Sequence, residues 1–352
     1  MIAPDCTFDD GSPWQGWLDL VPGRNLAPES LEPLLISFCN VTTPGFTLLL
    51  LDPVTLRGRW LARETDALRR LNGSSGLCRD GVDLLVMHQI HGRASPMSRL
   101  GPDLVLLGHE VMNPVFDGHD LAVLDGGLAV ADTGHDRVAF RSSNGAWRTL
   151  HAEQPGFGDQ SHLNSVVAWR EDLYATTFGP KTNGSWRDSA GGRIVRVADG
   201  STAVSGVSQP HSLIGTGERL MWCESARSEI RSSAGDGSVK IEARLRGYLR
   251  GLAVTDRHFI AAASAWRAVS RHEGTASEAP KAPHGLLNQA ALYVIDRATG
   301  AVAVSCLSPF GMEIFAIETA AGADIEPQFM HATAERAAAI AAAAEPSDQT
   351  LA

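Results

Sequence analysis

The sequence has 352 residues, of which 44% are hydrophobic and 20% charged, so the chain can bury a large core and is not a disordered protein. A formal net charge of -10 excludes the basic surface that nucleic-acid binding requires, and we expect no nucleic-acid partner. The 35 glycines and 18 prolines are typical of a turn-rich, all-β chain.

The N-terminal segment and the cysteines indicate the compartment. Residues 1–13 are acidic and lack the basic and apolar regions of a signal peptide. The most apolar run, residues 46–51, is too short to span a bilayer, so we expect no membrane partner. The five cysteines are scattered and odd in number, which argues against a disulfide framework and a thiolate zinc site. We therefore expect a soluble cytoplasmic protein.

The predicted strands follow one another in a repeating order. Residues 1–31 show no clear period and are predicted to form an N-terminal arm. Three strands follow within residues 34–61, with a turn at Asp52-Pro53. A unit then recurs about every 40 to 60 residues: a polar opening, an apolar strand, a tight turn and a second apolar strand. The units begin at Gly76, His119, His162, His211, Arg250 and Glu313.

Repeats of this length that contain several short strands indicate the blades of a β-propeller. The last unit, from Glu313, has only one strand, whereas residues 34–62 supply three strands without a polar opening. Joined together they complete one four-stranded blade and leave no open sheet edge. The sequence therefore predicts an all-β, six-bladed β-propeller whose ring is closed by N-terminal strands that join the last blade. The predicted divisions are an arm at 1–31, the propeller at 32–322 and an Ala-rich, partly helical tail at 323–352.

Seven short motifs between residues 118 and 317 carry a family resemblance. They are His119-Asp120, His162-Leu163-Asn164, Gly184 to Arg187, Pro210-His211-Ser212, Arg250-Gly251-Leu252, Asp296 to Gly300 and Glu313-Ile314-Phe315. In this order they resemble a bacterial family of six-bladed propellers described as conserved proteins of unknown function. Two departures are Ser165, where that family tends to have Gly, and residues 1–110, which match poorly.

More distantly, the chain is similar to gluconolactonase-like and strictosidine-synthase-like propellers, which are mostly metal-dependent or small-molecule enzymes. The resemblance implies a propeller with a shared site and leaves the reaction open.

Three histidines and a glutamate open successive units, and they form a candidate metal site. The innermost strands of all blades begin at one end of the central channel, so residues at the unit starts converge there. Imidazole and carboxylate groups are good ligands for transition metals, whereas calcium prefers oxygen alone. We predict a metal site at His119, His162, His211 and Glu313, with Fe(II) favoured and Mn, Zn or Cu as alternatives. Asn164, Asp120 and Ser212 follow the histidines and are expected to orient the rings.

Arg250 and Glu313 also have a simpler interpretation, because they open successive units and could form a salt bridge across the channel mouth. Otherwise Glu313 is a metal ligand or general base, and Arg250 binds a carboxylate group of the substrate. The histidines themselves could instead be structural and hydrogen-bonded to the backbone. These alternatives stay open from the sequence.

Loops with aromatic residues are candidates for substrate binding. Trp186 and Arg187 follow the second strand of their unit, and Trp266 holds the corresponding place in the unit of Arg250. Such a tryptophan either forms a lid over the channel or packs for stability. The predicted substrate-binding residues are Trp186, Arg187, Asn164, Arg250 and Trp266.

Two classes of function follow. The chain has no G-x-S-x-G, Walker or G-x-G-x-x-G element in the right context, which disfavours nucleophilic hydrolysis and nucleotide binding. The first class is a metal-dependent enzyme acting on a small molecule, with a non-haem iron oxidation of the oxygenase type as the leading reaction. Metal-dependent lyase, isomerase or hydrolase chemistry is the near alternative.

The second class is a non-catalytic propeller that binds a sugar, peptide or protein. Neither the substrate nor the oligomeric state follows from the sequence.

Overall fold

The protein is described by a computed structural model. The described residues are 17–19, 31–90, 92–153, 158–182, 186, 189, 191–265, 289–320 and 332–344. No helix among them is long and apolar enough to cross a membrane.

The described elements are almost entirely strands. The first thirteen are β1 (Trp17–Asp19), β2 (Leu34–Phe38), β3 (Leu48–Asp52), β4 (Arg57–Trp60), β5 (Ser74–Asp80), β6 (Asp83–His88), β7 (Ala94–Leu100), β8 (Leu106–Phe116), β9 (Gly118–Leu124), β10 (Gly127–Asp132), β11 (Arg137–Ser142), β12 (Trp147–Ala152) and β13 (Leu163–Trp169). The others are β14 (Asp172–Thr177), β15 (Gly192–Arg196), β16 (Thr202–Val207), β17 (Pro210–Gly215), β18 (Leu220–Glu224), β19 (Glu229–Ser233), β20 (Lys240–Arg244), β21 (Tyr248–Val254), β22 (His258–Ser264), β23 (Ala291–Asp296), β24 (Val302–Cys306) and β25 (Ile314–Thr319). The α-helices are α1 (Asp66–Arg69) and α2 (Ala332–Ala344).

These strands form six antiparallel sheets, which are the blades of the predicted propeller. Five blades are made of consecutive strands, from β5–β8 to β21–β24. The sixth is β25-β2-β3-β4. The innermost strands contact one another in a closed order, β25, β5, β9, β13, β17, β21 and back to β25. The six-bladed fold class is confirmed.

The ring closes at the position predicted from the sequence, where the strand after Glu313 joins the strands of residues 34–62. In the register of β25 with β2, Leu34 pairs with Thr319, Ile36 with Ile317 and Phe38 with Ile314. Two distant parts of the chain therefore share one sheet, and β2 is paired on both sides, with β25 and β3. β1, from the predicted arm, adds a fifth strand to the blade of β21–β24 by pairing with β24.

The core lies between neighbouring blades. All residues of β2 are buried, as are those of β22, because each sheet packs on a blade at either face. In one such layer Ile36, Phe46 and Trp60 of the closing blade pack with Ile260 and Leu292 of its neighbour. This packing explains why the strands read as continuous apolar runs rather than alternating ones.

Helix α2 lies in the Ala-rich tail and contacts the propeller. Arg63 Nε is 3.4 Å from Glu335 Oε1, and Arg336 Nη1 donates to the carbonyl of Pro309 at 3.1 Å. The expected helix is therefore present. The division of the chain into arm, propeller and tail stays a prediction.

Candidate functional site

The three predicted histidines lie close together at one end of the channel. The ring centroids of His119 and His162 are 5.0 Å apart. Phe178 bridges the next pair, at 4.4 Å from His162 and 5.2 Å from His211. Phe315 lies 5.2 Å from His119 and 6.3 Å from His211. Histidines from three consecutive blades therefore surround two phenylalanine rings in one buried cluster.

A left-handed residue accompanies each histidine. His162 itself has a φ of 50°, while Asp117 and Gln209, each two residues before a histidine, have φ values of 48° and 51°. Such backbone is uncommon for residues other than glycine and costs about 1 kcal/mol each. A left-handed residue thus lies at the histidine in one blade and two residues before it in the other two.

Each histidine uses Nδ1 for a local hydrogen bond. The partners accept through an oxygen atom, so each ring donates its Nδ1–H, and a neutral ring then carries its lone pair on Nε2. They are Asp117 O for His119 (2.8 Å), Asp159 Oδ2 for His162 (2.8 Å), and both Ser225 Oγ (2.7 Å) and Gln209 O (3.1 Å) for His211. The expected orienting residues Asp120 and Ser212 instead accept from the backbone of Val166 and donate to Arg250 O, respectively. That expectation was wrong for Asp120 and Ser212, because their side chains bond to the neighbouring inner strands β13 and β21 rather than to a histidine ring.

Two of the rings are held neutral. Burial lowers the pKa of His119 to about 4. Burial and the charge of Arg250 hold the pKa of His211 well below its usual range. Within the described residues, Nε2 of His119 lies 3.4 Å from Gln89 Nε2, and Nε2 of His211 accepts a long hydrogen bond from Arg250 Nε at 3.4 Å. At neutral pH these nitrogens are lone-pair donors.

Arg250 and Glu313 form the salt bridge that was one of the two sequence interpretations. Arg250 Nη1 is 3.5 Å from Glu313 Oε2, and both side chains are buried. Asn40 Nδ2 donates to the same carboxylate oxygen at 2.9 Å. Burial opposes the charge on Arg250, but the adjacent Cys39 and Glu313 outweigh it and raise the pKa of Arg250.

Cys39 is a member of the site that the sequence did not reveal. Its Sγ accepts a hydrogen bond from Arg250 Nη1 at 3.2 Å and lies 3.7 Å from Glu313 Oε2. The guanidinium of Arg250 also lies over Phe315, with 5.4 Å from Cζ to the ring centroid, and over Tyr248 at 5.7 Å. The site therefore has two halves that meet at Phe315. We call His119, His162 and His211 the imidazole half, and Cys39, Asn40, Arg250 and Glu313 the ion-pair half.

The structure describes three of the five predicted substrate-binding residues, namely Trp186, Asn164 and Arg250. Trp186 is buried against His162, with 4.6 Å between ring centroids, and its Nε1 donates to Gln160 O at 3.3 Å. This position suits both a lid and a structural role. Arg187 and Trp266 lie outside the described residues.

Asn164 carries an unsatisfied polar atom. It is fully buried, and its Oδ1 accepts from Ser165 at 3.3 Å. Its Nδ2 has no hydrogen-bond partner within the described part of the chain. An unsatisfied buried donor is costly, and an acceptor on a bound molecule would satisfy it.

The four predicted metal ligands are not together in one group. Glu313 belongs to the ion-pair half, whereas the three histidines form the other. Across the described residues, no three His, Cys, Asp or Glu side chains stand close enough to hold a metal ion as they are.

Known structures establish the fold of the chain. It is similar to the nidogen/laminin complex, at 13% identity over 81% of this chain and 97% of that chain, with a TM-score of 0.56. It is also similar to TolB from Acinetobacter baumannii, at 10% identity over 81% of this chain and 66% of that chain, with a TM-score of 0.52. A gluconolactonase from Xanthomonas campestris shares 14% identity over 82% of this chain and all of its own, with a TM-score of 0.45. At such low identity these likenesses concern the propeller alone.

A comparison with curated proteins finds no match. The family described as a domain of unknown function (DUF4915) matches residues 106–327, a segment that contains all seven motifs of the sequence resemblance. The chain therefore belongs to this family of six-bladed β-propellers.

Proposed function

We propose that the protein is an enzyme that acts on a small molecule at this end of the channel, with a divalent transition metal held by His119, His162 and His211. One observation carries the proposal: each ring binds an oxygen acceptor through Nδ1 and so keeps Nε2 as a lone pair. Histidine ligands of metals commonly have their second nitrogen fixed in this way, by a carbonyl or carboxylate.

The donor set fits a transition metal in its chemistry. Neutral imidazoles suit Fe, Mn, Zn and Cu, and the low pKa values of His119 and His211 keep the rings neutral. The rings do not form a closed metal group as they stand, so the proposal requires them to move together on binding. When bound, the metal would supply a Lewis acid or a redox centre.

The surrounding residues would position the substrate and exclude water. The buried Trp186 covers one face of His162, which limits access from that side. Asn164 Nδ2 is available to donate to a substrate oxygen. We retain a non-haem iron oxidation as the first reaction to test, with metal-assisted lyase, isomerase or hydrolase chemistry as the alternative.

A second candidate function, a metal-free binding module, is favoured by the contact of Arg250 with His211. A guanidinium 3.4 Å from Nε2 repels a metal cation at that nitrogen and would instead favour an anionic ligand. In this case the cluster of rings and Arg250 would bind a small anion without further chemistry.

Metal analysis separates the two candidates. The protein is reconstituted anaerobically with Fe(II), Mn(II) or Zn(II), freed of excess ion, and its metal content measured by mass spectrometry. We expect about one ion per chain in the wild type and in the control variant His109→Ala, whose histidine is exposed on β8, and a loss of the ion in His162→Ala. A metal-free wild type, or an unchanged metal content in His162→Ala at an unchanged melting temperature, would favour the binding module.

A further inference from the structure

The ion-pair half contains a thiol between a cation and a carboxylate, and the metal proposal gives this arrangement no role. Cys39, Arg250 and Glu313 are 2%, 7% and 8% exposed, so their mutual contacts are shielded from water. The thiol has on one side a cationic donor, Arg250 Nη1 at 3.2 Å, and on the other an acceptor, Glu313 Oε2 at 3.7 Å. A nucleophilic thiol needs these two partners: a base to take its proton and a cation to stabilise the thiolate.

We propose that Cys39 is a catalytic nucleophile, with Glu313 as its general base and Arg250 as the stabiliser of the thiolate, and that it attacks the acyl carbon of a small ester substrate. Glu313 is fixed for this role. Asn40 Nδ2 holds its carboxylate at 2.9 Å, and the backbone N–H of Cys39 donates to its carbonyl at 3.0 Å. The nucleophile Cys39, the base Glu313 and the orienting residue Asn40 thus form a chain in which each is within hydrogen-bonding distance of the next.

A second observation is a buried donor without an acceptor on the inner strand of another blade. Asn164 Nδ2 is a fully buried donor that lacks a partner among the described residues. Its strand, β13, belongs to the blade opposite the closing blade, because two blades separate them on either side of the ring. In the proposal, this amide would donate to an oxygen of the bound ester.

The other described thiols lack this environment. Burial raises the pKa of Cys78 to about 12, and its Sγ donates to the neutral carbonyl of Arg79. Burial also raises the pKa of Cys223, whose Sγ donates to the carbonyl of Gly251. Cys78 and Cys223, neither of which forms a disulfide, are therefore matched controls for Cys39.

The chemistry balances with water as the only co-reactant. The Cys39 proton moves to Glu313 Oε2 as the sulfur forms a bond to the acyl carbon and the carbonyl electron pair moves onto oxygen. When the carbonyl re-forms, the ester C–O bond breaks and the leaving alkoxide takes the proton from Glu313. Water then attacks the thioester with Glu313 again as base, which releases a carboxylic acid and restores the thiol.

This chemistry requires no metal, so it stands or fails separately from the metal proposal. It favours hydrolysis among the alternatives, even though the sequence lacks a G-x-S-x-G element. The thiol of Cys39 belongs to no short sequence motif, because Arg250 and Glu313 reach it only once the ring is closed.

The test uses p-nitrophenyl acetate as the probe on full-length protein with a chelator present. We expect a rapid release of about one p-nitrophenol per chain, and peptide mass mapping should place the acetyl group on Cys39. Cys39→Ser should abolish the burst, while Cys78→Ser and Cys223→Ser should retain it. Acetylation of Cys78 in place of Cys39, or an absent burst in the wild type, would overturn the proposal.

Two further variants test the assigned partners. Glu313→Gln and Arg250→Gln should each slow the burst by about tenfold or more, because they remove the base and the stabilising charge. A burst of unchanged rate in both would show that Cys39 reacts without them and would contradict the proposal. If the melting curve shows that a variant is not folded, the proposal is tested by the position of the acetyl group in the wild type alone.

Discussion

The imidazole half and the ion-pair half occupy similar places in the repeated blade but bury polar groups in opposite ways. In the first, each ring donates from Nδ1 to an oxygen two or three residues earlier in its own chain. In the second, Arg250 is charged, and its counter-charge Glu313 comes from the next blade. A buried charge needs a partner of opposite sign, whereas a buried neutral ring needs only an acceptor. The repeated strand therefore fixes the position of a side chain, and the neighbouring residues determine whether that side chain is charged.

The closing blade is the element on which the ion-pair half depends most. Truncation after Leu307 removes β25 and with it Glu313, so the inner edge of β2 would be open. We expect no soluble protein from this truncation. Truncation after Gly322 keeps all six blades and should yield folded protein, because it removes mainly the tail and its partly exposed contact of Arg63 with Glu335. Soluble yield and thermal melting measure the difference, and a stable protein ending at Leu307 would disprove the closure.

Removing one charge of the Arg250–Glu313 pair should lower the free energy of unfolding more than removing both charges. Glu313→Leu leaves Arg250 buried without its carboxylate partner, and we expect the free energy of unfolding to fall by about 3–5 kcal/mol. The double variant Arg250→Met/Glu313→Leu should recover most of this loss. Urea denaturation measures both, with Glu64→Gln as a control, since the Arg59–Glu64 pair is more exposed and worth about 1 kcal/mol or less. If the double variant is no more stable than Glu313→Leu, the pair is not the cause.

The imidazole half should respond to pH. Because the pKa of His119 falls to about 4 in the folded protein, the unfolded chain binds a proton there below about pH 6.5 while the folded chain does not. Stability is therefore retained above pH 6.5 and falls by about 3 kcal/mol as the pH drops toward 4. In metal-free protein, His119→Gln should reduce the slope of unfolding free energy against pH in this range. An unchanged slope would show that His119 is not the group that titrates.

The smallest effect on stability is expected at Asn164. Asn164→Ala removes a buried donor that lacks a partner in the described structure, so the free energy of unfolding should change by no more than about 1 kcal/mol in the absence of ligand. The reaction with p-nitrophenyl acetate should nevertheless slow, because the substrate oxygen loses its donor. A large loss of stability would indicate that the side chain has a structural partner instead.

The repeat and the closure could be predicted because they depend on pattern and count. Polar openings before apolar strands located the inner strand of each blade, and the strand missing after Glu313 matched the three extra strands of residues 34–62. The same pattern brought the three histidines to one end of the channel. The sequence allowed two interpretations of Arg250 and Glu313. The contact between their side chains, which come from neighbouring blades, corresponds to the salt bridge.

Cys39 could not be found from the unit openings because it follows a second strand. In an antiparallel hairpin the second strand ends where the first begins, so residues after β2, β6 and β14 also reach this end of the channel. They include Cys39, Gln89 and Phe178, all of which contact the site. The partners of the rings were missed for another reason, because Asp117, Asp159 and Gln209 lie two or three residues before their histidines, outside the repeated strands.

The most direct test of the difference between the two halves is anomalous diffraction from crystals of the protein grown anaerobically with iron. We expect one metal position, about 2.0–2.2 Å from Nε2 of His119, His162 and His211. Glu313 should remain paired with Arg250 rather than bind the metal. A metal bound to Glu313, or three histidine rings without a metal after reconstitution, would contradict this account.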